Sequence, residues 1–306
     1  MNKIAEELQT VTRPANIRTD ELMSAHTSFK TGGCADVFVT PGNIEEAADI
    51  VRLLLARGIP YTVIGNGSNI LVSDKGYRGV IVCMSRGTDN ITVTGDTVTA
   101  GAGALLSRTA AAAYDSSLTG LEFASGIPGS VGGAVVMNAG AYGSEVKDVI
   151  DSVRLLDTKT GETIRLSGDE MEFGYRTSIV KSYPYVVLEA VFALHRGDRK
   201  LIKEKTDELA QKRRSKQPLE YPSAGSTFKR PEGFFAGKLI EDAGLKGYSI
   251  GGAMVSDKHC GFVINKGGAT SAQLLELIRH IRQKVYETSS VMLEPEVVLL
   301  GEDIVL

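Results

Sequence analysis

An uncharged, glycine-rich run near the middle of the chain limits its possible folds more than any other feature. Residues 122–143 read EFASGIPGSVGGAVVMNAGAYG, and no charged residue follows Glu122 until Glu145. Six glycines and Pro128 break the run, so it makes a poor match to the roughly 20 predominantly apolar residues of a membrane span. A flexible linker would be rich in Gly and Ser and would lack Val, Met and Phe, so this run also makes a poor match to a linker. We interpret the run as a buried loop against a ligand, because glycine lets backbone N–H groups approach a phosphate or a flat ring.

Size and composition describe an ordinary globular protein. The chain has 306 residues, enough for two or three domains. Its formal net charge of −3 gives no basic footprint for nucleic acid. The N-terminal residues lack the apolar core of a signal peptide. We therefore expect a protein without a nucleic-acid or membrane partner.

The cysteines and histidines indicate a reducing compartment. Cys34, Cys83 and Cys260 are widely spaced, without a CxxC pair, so a disulfide framework is disfavoured and a cytoplasmic location is expected. The four histidines show no zinc-type spacing, and no metal site is expected. Adjacent His259 and Cys260 are interpreted as two buried strand residues, because neighbours on a strand face opposite ways.

A second glycine loop follows a predicted strand at residues 61–64. It reads GNGSN at residues 65–69. A Rossmann fingerprint would need a third glycine and a helix directly afterwards, whereas an apolar strand, residues 70–72, comes next. Two interpretations stay open: an ordinary tight loop, and a phosphate-cradling nest without a helix.

Hydrophobic periodicity and turn residues predict an α+β fold in which strands dominate the first two-thirds of the chain. The Asn43 and Glu46 spacing resembles a capping box for a helix that stops at Gly58. A charged helix at 200–216, with a solvated basic end that includes Arg213, indicates a domain boundary near residue 200. The other predicted helices are 3–10, 105–114, 235–243 and 271–286. The predicted strands are 35–39, 61–64, 70–72, 79–84, 91–94, 97–100, 150–156, 163–166, 185–194, short strands within 250–264, and 296–300.

Three polar residues stand out beside the glycine loops. Arg176 lies in FGYRTS, Ser226 in AGSTFKRP and Glu296 in LEPEV. Each has an ordinary structural explanation: a surface hairpin residue, a turn residue and a strand-edge carboxylate. Taken singly, none identifies a reaction.

Their order along the chain is specific. KTGG, GNGSN, GIPGSVGGAVVMNAGAYG, GYRTS, YPSAGSTFKRP and LEPEV occur in that sequence from about residue 30 to the C-terminus. This arrangement closely resembles the UDP-N-acetylenolpyruvoylglucosamine reductase (UDP-N-acetylmuramate dehydrogenase) family, the flavoenzymes of peptidoglycan precursor synthesis. The resemblance covers nearly the whole chain from about residue 20.

The resemblance implies an FAD-binding domain pair of the vanillyl-alcohol-oxidase (PCMH) type plus a smaller α+β substrate-binding domain. The expected boundaries are 1–84 for the first FAD-binding subdomain, joined by 297–306, then 85–200 for the second, and 201–296 for the substrate domain. FAD is expected to be bound non-covalently. NADPH is expected to reduce it and leave before the UDP-sugar substrate enters the same site.

The resemblance also implies roles for individual residues. Hydride from flavin N5 would add to C3 of the enolpyruvyl group, and Ser226 would give a proton to C2. Arg176 and Glu296 would stabilise the enolate that forms between these events, for which a bidentate, permanently charged guanidinium is well suited. The cofactor-binding residues would be Gly65, Asn66, Gly67, Ser68, Asn69, Gly126, Ile127, Pro128, Gly129, Ser130, Gly132, Gly133, Asn138, Gly140 and Ala141. The substrate-binding residues would be Tyr175, Lys216, Lys229 and Arg230.

One departure and two rival functions accompany this prediction. Only 49 residues separate Arg176 from Ser226, so the chain resembles the shorter branch of the family, which lacks an inserted tyrosine loop over the substrate. What closes the site is thus left open, as is the oligomeric state, for which a monomer is plausible. The rivals are another FAD-dependent oxidase of the same superfamily and a non-catalytic nucleotide-sugar binding protein.

Overall fold

A computed structural model describes residues 2–306. The α-helices are α1 (Asn2–Leu8), α2 (Ile44–Ala56), α3 (Leu106–Asp115), α4 (Val131–Val136), α5 (Arg199–Lys216), α6 (Ala236–Asp242) and α7 (Ser271–Ser289). The strands are β1 (Ile17–Leu22), β2 (Cys34–Val39), β3 (Tyr61–Ile64), β4 (Ile70–Val72), β5 (Tyr77–Cys83), β6 (Ile91–Thr94), β7 (Thr97–Gly101), β8 (Leu118–Thr119), β9 (Gly140–Ala141), β10 (Ser144–Glu145), β11 (Ile150–Asp157), β12 (Thr163–Ser167), β13 (Tyr185–Ala193), β14 (His195–Arg196), β15 (Ser249–Ile250), β16 (Ala253–Val255), β17 (Val263–Asn265) and β18 (Val298–Leu300). Short 3-10 turns occupy Pro14–Asn16, Met23–Ala25, Glu122–Ala124, Val146–Asp148, Asp169–Met171 and Ile179–Lys181.

The strands form several separate sheets. A four-stranded sheet has the order β1-β2-β5-β3, in which β3 and β5 run parallel. A five-stranded antiparallel sheet has the order β12-β11-β13-β7-β6. Three further antiparallel strands follow the order β15-β16-β17, and β18 pairs in parallel with β4, Val298 opposite Ile70. Helices and strands are interspersed, and the predicted α+β class is confirmed.

The chain divides into two compact units. The first contains Met1–Thr19, Val37–Asn66 and Gly79–Arg213. The second contains Asp20–Asp36, Gly67–Arg78 and Arg214–Leu306. The three domains with boundaries near residues 84, 200 and 296 stay a prediction.

Each unit has its own buried core. In the first unit, Phe192 and Leu106 belong to a large apolar cluster that covers the five-stranded sheet. A second cluster there packs Ile50 and Leu54 of α2 against strands β2 and β5. The core of the second unit surrounds the apolar face of α7, which includes Ile278. Within residues 2–306 no helix is long and apolar enough to cross a bilayer.

Helix α2 shows how local sequence sets an element. The Asn43 side chain accepts a hydrogen bond from the Glu46 N–H at 2.8 Å, as the predicted N-cap requires. The predicted capping box is not completed, because the Glu46 carboxylate accepts hydrogen bonds from Asn16, at 3.2 Å, and from Thr12 instead of from the Asn43 N–H. This carboxylate thus ties the helix to the preceding turn. Gly58, with φ of +60°, follows the C-terminal end.

Helix α7 is capped partly by a residue distant in sequence. Thr270 and Gln273 form a capping box at its start. The two oxygens of the Asp74 carboxylate accept hydrogen bonds from the N–H groups of Ser271 and Ala272, both at 2.8 Å. A carboxylate at this end also meets the positive end of the helix dipole. This contact joins Gly67–Arg78 to the C-terminal part of the second unit.

Candidate active site

The glycine-rich run is a short helix set between two loops. Residues 131–136 form α4, and the Ser130 hydroxyl accepts a hydrogen bond from the Gly133 N–H at 3.4 Å. The sequence predicted a loop throughout and missed this helix. Glycine has a low intrinsic helix propensity, so Gly132 and Gly133 concealed it.

Backbone contacts fix this run within the first unit. The Val131 N–H donates to the Ala104 carbonyl at 2.8 Å. The Asn66 side chain, in the GNGSN loop, donates to the Pro128 carbonyl at 2.5 Å. The first two residues of the second glycine loop therefore lie against the glycine-rich run, as a shared cofactor cradle would require.

The end of the run positions Arg176. The Asn138 side chain is fully buried, donates to the Gly174 carbonyl at 3.0 Å and accepts from the Lys147 N–H at 3.0 Å. The Arg176 guanidinium donates to the carbonyls of Asn138 and Gly140, at 3.4 and 3.3 Å. Asn138, predicted to bind the cofactor, thus uses its side chain to hold the loop that contains Arg176.

Arg176 has an unusual backbone conformation and an aromatic neighbour. Its φ is +56°, in the left-handed region that few side chains adopt. Its guanidinium carbon lies 5.0 Å from the centroid of the Tyr175 ring, and Tyr175 is 51% exposed. The Lys181 ammonium donates to the Arg176 carbonyl at 3.3 Å. The arginine is therefore oriented by its surroundings rather than being a free surface side chain.

The remaining residues of the GNGSN loop belong to the second unit. The Ser28 N–H donates to the Gly67 carbonyl at 3.0 Å. A Cβ on Gly67, where φ is +61°, would lie 1.9 Å from the carbonyl oxygen of His26. Only glycine fits this position, so the loop and the HTSFKTGG segment form one backbone structure.

Ser226 and Glu296 lie on two extended segments that pair in the second unit. The Glu296 N–H donates to the Thr227 carbonyl at 2.9 Å, and the Lys229 N–H donates to the Glu294 carbonyl at 2.8 Å. The Asn69 side chain donates to the Glu296 carbonyl at 3.1 Å. Asn69, predicted to bind the cofactor, therefore holds the backbone of a predicted catalytic residue.

Thr227 anchors the segment that carries Ser226. It is fully buried, its N–H donates to the Gly261 carbonyl at 2.9 Å, and its hydroxyl accepts from the Val263 N–H at 2.9 Å. Ser226 is exposed. Buried Thr227 thus fixes the backbone beside Ser226, and the Ser226 residue is accessible to solvent.

The predicted substrate-binding cations have different surroundings. Lys229 forms an ion pair with Glu294. The guanidinium carbon of Arg230 lies 4.1 Å from the Phe235 ring centroid. Lys216 ends α5 and is exposed.

His259 and Cys260 lie in the turn between β16 and β17, so their predicted placement on a strand is wrong. Burial lowers the pKa of the His259 imidazole, and the nearby Lys216 charge lowers it further. The His259 Nδ1 atom accepts from the Gly261 N–H at 3.1 Å, which suits a neutral ring. The Ser256 hydroxyl accepts hydrogen bonds from the N–H groups of Lys258 and His259, at 3.2 and 3.4 Å, so the chain turns here instead of continuing as a strand.

Arg213 was missed by the sequence analysis, which placed it in a solvated helix end. It is half-buried, and its Cδ and Nη1 atoms lie 3.2 and 3.3 Å from where a Cβ on Gly126 would be. Burial lowers the pKa of this guanidinium, an effect that Tyr142 opposes. In residues 2–306 it makes no hydrogen bond or ion pair. Its spacing from buried Ile202 and Leu209, on one face of α5, was the signal that could have revealed it.

Comparison with known proteins identifies the family. Residues 217–300 match the UDP-N-acetylenolpyruvoylglucosamine reductase C-terminal domain, and residues 35–167 match an FAD binding domain. A reductase of that name from Lachnoclostridium phytofermentans is 52% identical over 99% of both chains. The chain belongs to the UDP-N-acetylenolpyruvoylglucosamine reductase family. Another relative, from Caldanaerobacter subterraneus, is 52% identical over 98% of both chains.

A solved structure agrees with this assignment. The reductase from Thermus caldophilus superposes with a TM-score of 0.81 at 33% identity, over 93% of this chain and all of that one. The comparisons confirm the predicted family, the fold with an FAD-binding part, and the enzyme class of an NADPH-dependent, FAD-containing reductase of peptidoglycan precursor synthesis.

Proposed function

We propose that this chain reduces the enolpyruvyl group of UDP-N-acetylglucosamine-enolpyruvate to UDP-N-acetylmuramate, with Arg176, Ser226 and Glu296 as catalytic residues. The observation that carries the proposal is the pairing of the segments that contain Ser226 and Glu296. The hydrogen bond from the Glu296 N–H to the carbonyl of Thr227, the neighbour of Ser226, joins the segments of two predicted catalytic residues that are distant in sequence. A structural turn serine and an unrelated strand-edge carboxylate would not need this adjacency. The three free cysteines suit the reducing cytoplasm that we propose as its location.

The glycine-rich run and the GNGSN loop suit FAD. Both supply uncharged backbone, and the Asn66–Pro128 contact joins them. Arg213 adds a half-buried cation beside Gly126, without an acidic partner among the described residues, which suits an anionic cofactor. When bound there, FAD supplies the hydride that NADPH provides. Gly65, Asn66 and residues 126–133 are the residues that would hold it in the first unit.

Arg176 binds the carboxylate next to the reacting double bond. Negative charge moves into this carboxylate as the β-carbon accepts hydride, so a guanidinium interacts more strongly with the transition state than with the substrate. The contacts with the carbonyls of Asn138 and Gly140 orient the guanidinium before the substrate arrives. Preorganisation of this kind avoids reorientation during the reaction.

Ser226 gives its hydroxyl proton to the α-carbon of the enolate, and Glu296 stabilises the enolic form. A serine hydroxyl is a weak acid, so it must be held at the carbon and assisted by nearby charge. Buried Thr227 holds the backbone beside Ser226. Lys216 and Arg230 are the candidates for the pyrophosphate of the substrate. Lys229 must exchange Glu294 for a phosphate in order to join them.

Separate measurement of the two half-reactions tests these roles. In Ser226→Ala, we expect the flavin absorbance to bleach with NADPH at the wild-type rate. Its recovery with enolpyruvyl substrate should slow by about 10²–10⁴-fold, the usual contribution of a general acid. Ser223→Ala removes a hydroxyl from the same segment and should leave both rates unchanged. Equal losses in the two half-reactions of Ser226→Ala would exclude Ser226 as the proton donor.

A further inference from the structure

The second unit holds a phenylalanine ring at the surface, in the segment that follows the predicted substrate-binding residue Arg230. Phe235 is 62% exposed, the highest value among the aromatic residues of 2–306. Exposure alone is uninformative, because single apolar side chains are common on protein surfaces. The surroundings of this ring, described next, are what indicate a ligand.

The backbone around Phe235 is fixed by hydrogen bonds. The Phe234 N–H donates to the Pro231 carbonyl at 3.1 Å, which closes the turn before α6. Phe235 is the N-cap residue of α6, and its carbonyl accepts from the N–H groups of Lys238 and Leu239, at 3.0 and 3.1 Å. The ring therefore stands on an ordered backbone rather than on a loose loop.

The Arg230 guanidinium covers one face of the ring. Its central carbon lies 4.1 Å from the Phe235 ring centroid, within the range of a cation–π contact. The Arg230 Nε–H also donates to the Phe234 carbonyl at 3.3 Å, which orients the guanidinium. Because the ring is still 62% exposed with one face covered, its opposite face is open to solvent.

The start of α6 packs against the residues that anchor the Ser226 segment. A Cβ on Gly237, two residues after Phe235, would lie 3.1 Å from the Gly261 backbone nitrogen. The Gly261 carbonyl accepts from the N–H of Thr227, the neighbour of Ser226, at 2.9 Å. All of these residues belong to the second unit. One network of backbone contacts thus places the Phe235 ring in the neighbourhood of the proposed proton donor.

From this geometry we infer that Phe235 is a further substrate-binding residue, whose open ring face stacks on the uracil base of the UDP-sugar. The inference rests on the proposed function, which supplies the substrate. Nucleobases bind protein surfaces by stacking on aromatic rings. In UDP the base and the pyrophosphate are joined through one ribose, so a cation that binds the pyrophosphate must lie close to the surface that binds the base. Arg230 lies in that position relative to Phe235.

Calorimetric titration of the oxidised, FAD-loaded enzyme with UDP tests the stack. Phe235→Ala should weaken UDP binding about tenfold or more, as the loss of one base–aromatic stack predicts. Phe235→Tyr keeps the ring and should bind UDP as tightly as the wild type. Inorganic pyrophosphate has no base, so its affinity should be equal in the wild type and Phe235→Ala. In the steady state, Phe235→Ala should raise KM for the enolpyruvyl substrate and keep kcat, since the stack is the same in the ground and transition states.

Tyr248→Ala is the matched control, because Tyr248 is another exposed ring of the second unit, with its centroid 4.6 Å from that of the stacked His280 ring. Its UDP affinity should equal that of the wild type. Equal weakening in Tyr248→Ala and Phe235→Ala would overturn the uracil site, as would wild-type UDP affinity in Phe235→Ala. An equal rise in the NADPH concentration for half-maximal flavin reduction would assign the ring to adenine and would also overturn it.

The two proposals fail in different ways. If Phe235→Ala reduces the enolpyruvyl substrate with wild-type KM, the uracil site is overturned and the proposed function stands. If the wild type does not reduce this substrate, the proposed function is overturned, whereas UDP calorimetry still decides whether the ring binds the base.

Discussion

The glycine-rich run with Arg176 and the paired segments with Ser226 and Glu296 are built by different means. In the first region left-handed backbone at Asn138 and Arg176 brings carbonyls into position, and the Asn138 side chain holds the loop of Arg176. In the second region a buried side chain is the anchor, since the Thr227 hydroxyl accepts the hydrogen bond that fixes the neighbouring strand.

This difference matches the tasks proposed for the two regions. A flat, charged cofactor needs a surface of backbone donors that it can approach closely, and glycine provides it. Proton transfer needs a particular side-chain atom at a particular place, to within fractions of an ångström. The first region should therefore be most sensitive to added atoms, and the second to removed hydrogen bonds.

The largest effect is expected from adding one methyl group to the glycine loop. Gly67→Ala places a Cβ against the carbonyl oxygen of His26, and should cost about 4 kcal/mol or more of folding free energy and most of the bound FAD. Gly95→Ala is the control, because Gly95 has nearly the same φ, +60°, but open space around it. It should cost only about 1–2 kcal/mol. Urea unfolding measures the folding free energy of each variant, and FAD content per chain measures its bound cofactor. Equal losses in Gly67→Ala and Gly95→Ala would show that the lack of space at Gly67 is unimportant.

Arg176→Lys tests whether shape or charge matters in the first region. The left-handed backbone is equally strained for both residues, so folding should be preserved. We expect kcat for substrate reduction to fall by about 10²–10³-fold, as for loss of one transition-state donor. Arg154→Lys, at an exposed ion pair with Glu45, should retain full activity. Wild-type kcat in Arg176→Lys would mean that one positive charge suffices.

Thr227→Val tests the hydrogen bond behind Ser226. The substitution keeps the shape but leaves the buried Val263 N–H without its acceptor, which should cost about 1–3 kcal/mol of folding free energy. Thr227→Ser retains the hydroxyl and should lose less stability. Substrate reduction should fall in the valine variant while flavin reduction by NADPH is preserved. A valine variant as stable as the serine variant would show that the hydroxyl does not anchor the segment.

The smallest effect is a pH dependence from His259. Burial lowers its pKa below the usual 6.5, so the unfolded chain binds its proton at a higher pH than the folded chain does. The stability linked to the neutral ring is therefore complete above pH 6.5 and is lost as the pH falls through the folded-state pKa. Unfolding free energies from pH 8 to 5 should decline more steeply for the wild type than for His259→Gln. Parallel profiles would show that this ring does not contribute.

Regular elements with strong patterns were predictable from the sequence. Helix α2 has both an N-cap at Asn43 and a glycine at its end, and the apolar periodicity of α7 is sustained over 19 residues. Strand β1 was missed because it is the edge strand of its sheet and is mostly exposed, which leaves no alternation of apolar and polar residues.

The candidate site was only partly predictable, for a related reason. Motif order named Arg176, Ser226 and Glu296, whose catalytic roles stay predictions. The same motifs could not show that Asn138 and Asn69 use their side chains to hold other segments. They also could not show that Arg213 packs on Gly126. Such contacts join positions far apart in the chain, and local propensity contains no information on them.

The sequence by itself determined the family, the α+β class and the need for glycine in the two loops, because these depend on residue type and order. Tertiary structure decided where each donor and cation lies. It paired the Ser226 and Glu296 segments through backbone hydrogen bonds, and it made Arg213 half-buried. The physical reason is that burial and hydrogen-bond partners arise only when distant segments meet. Those contacts decide which polar groups stabilise the fold and which stay accessible to ligands.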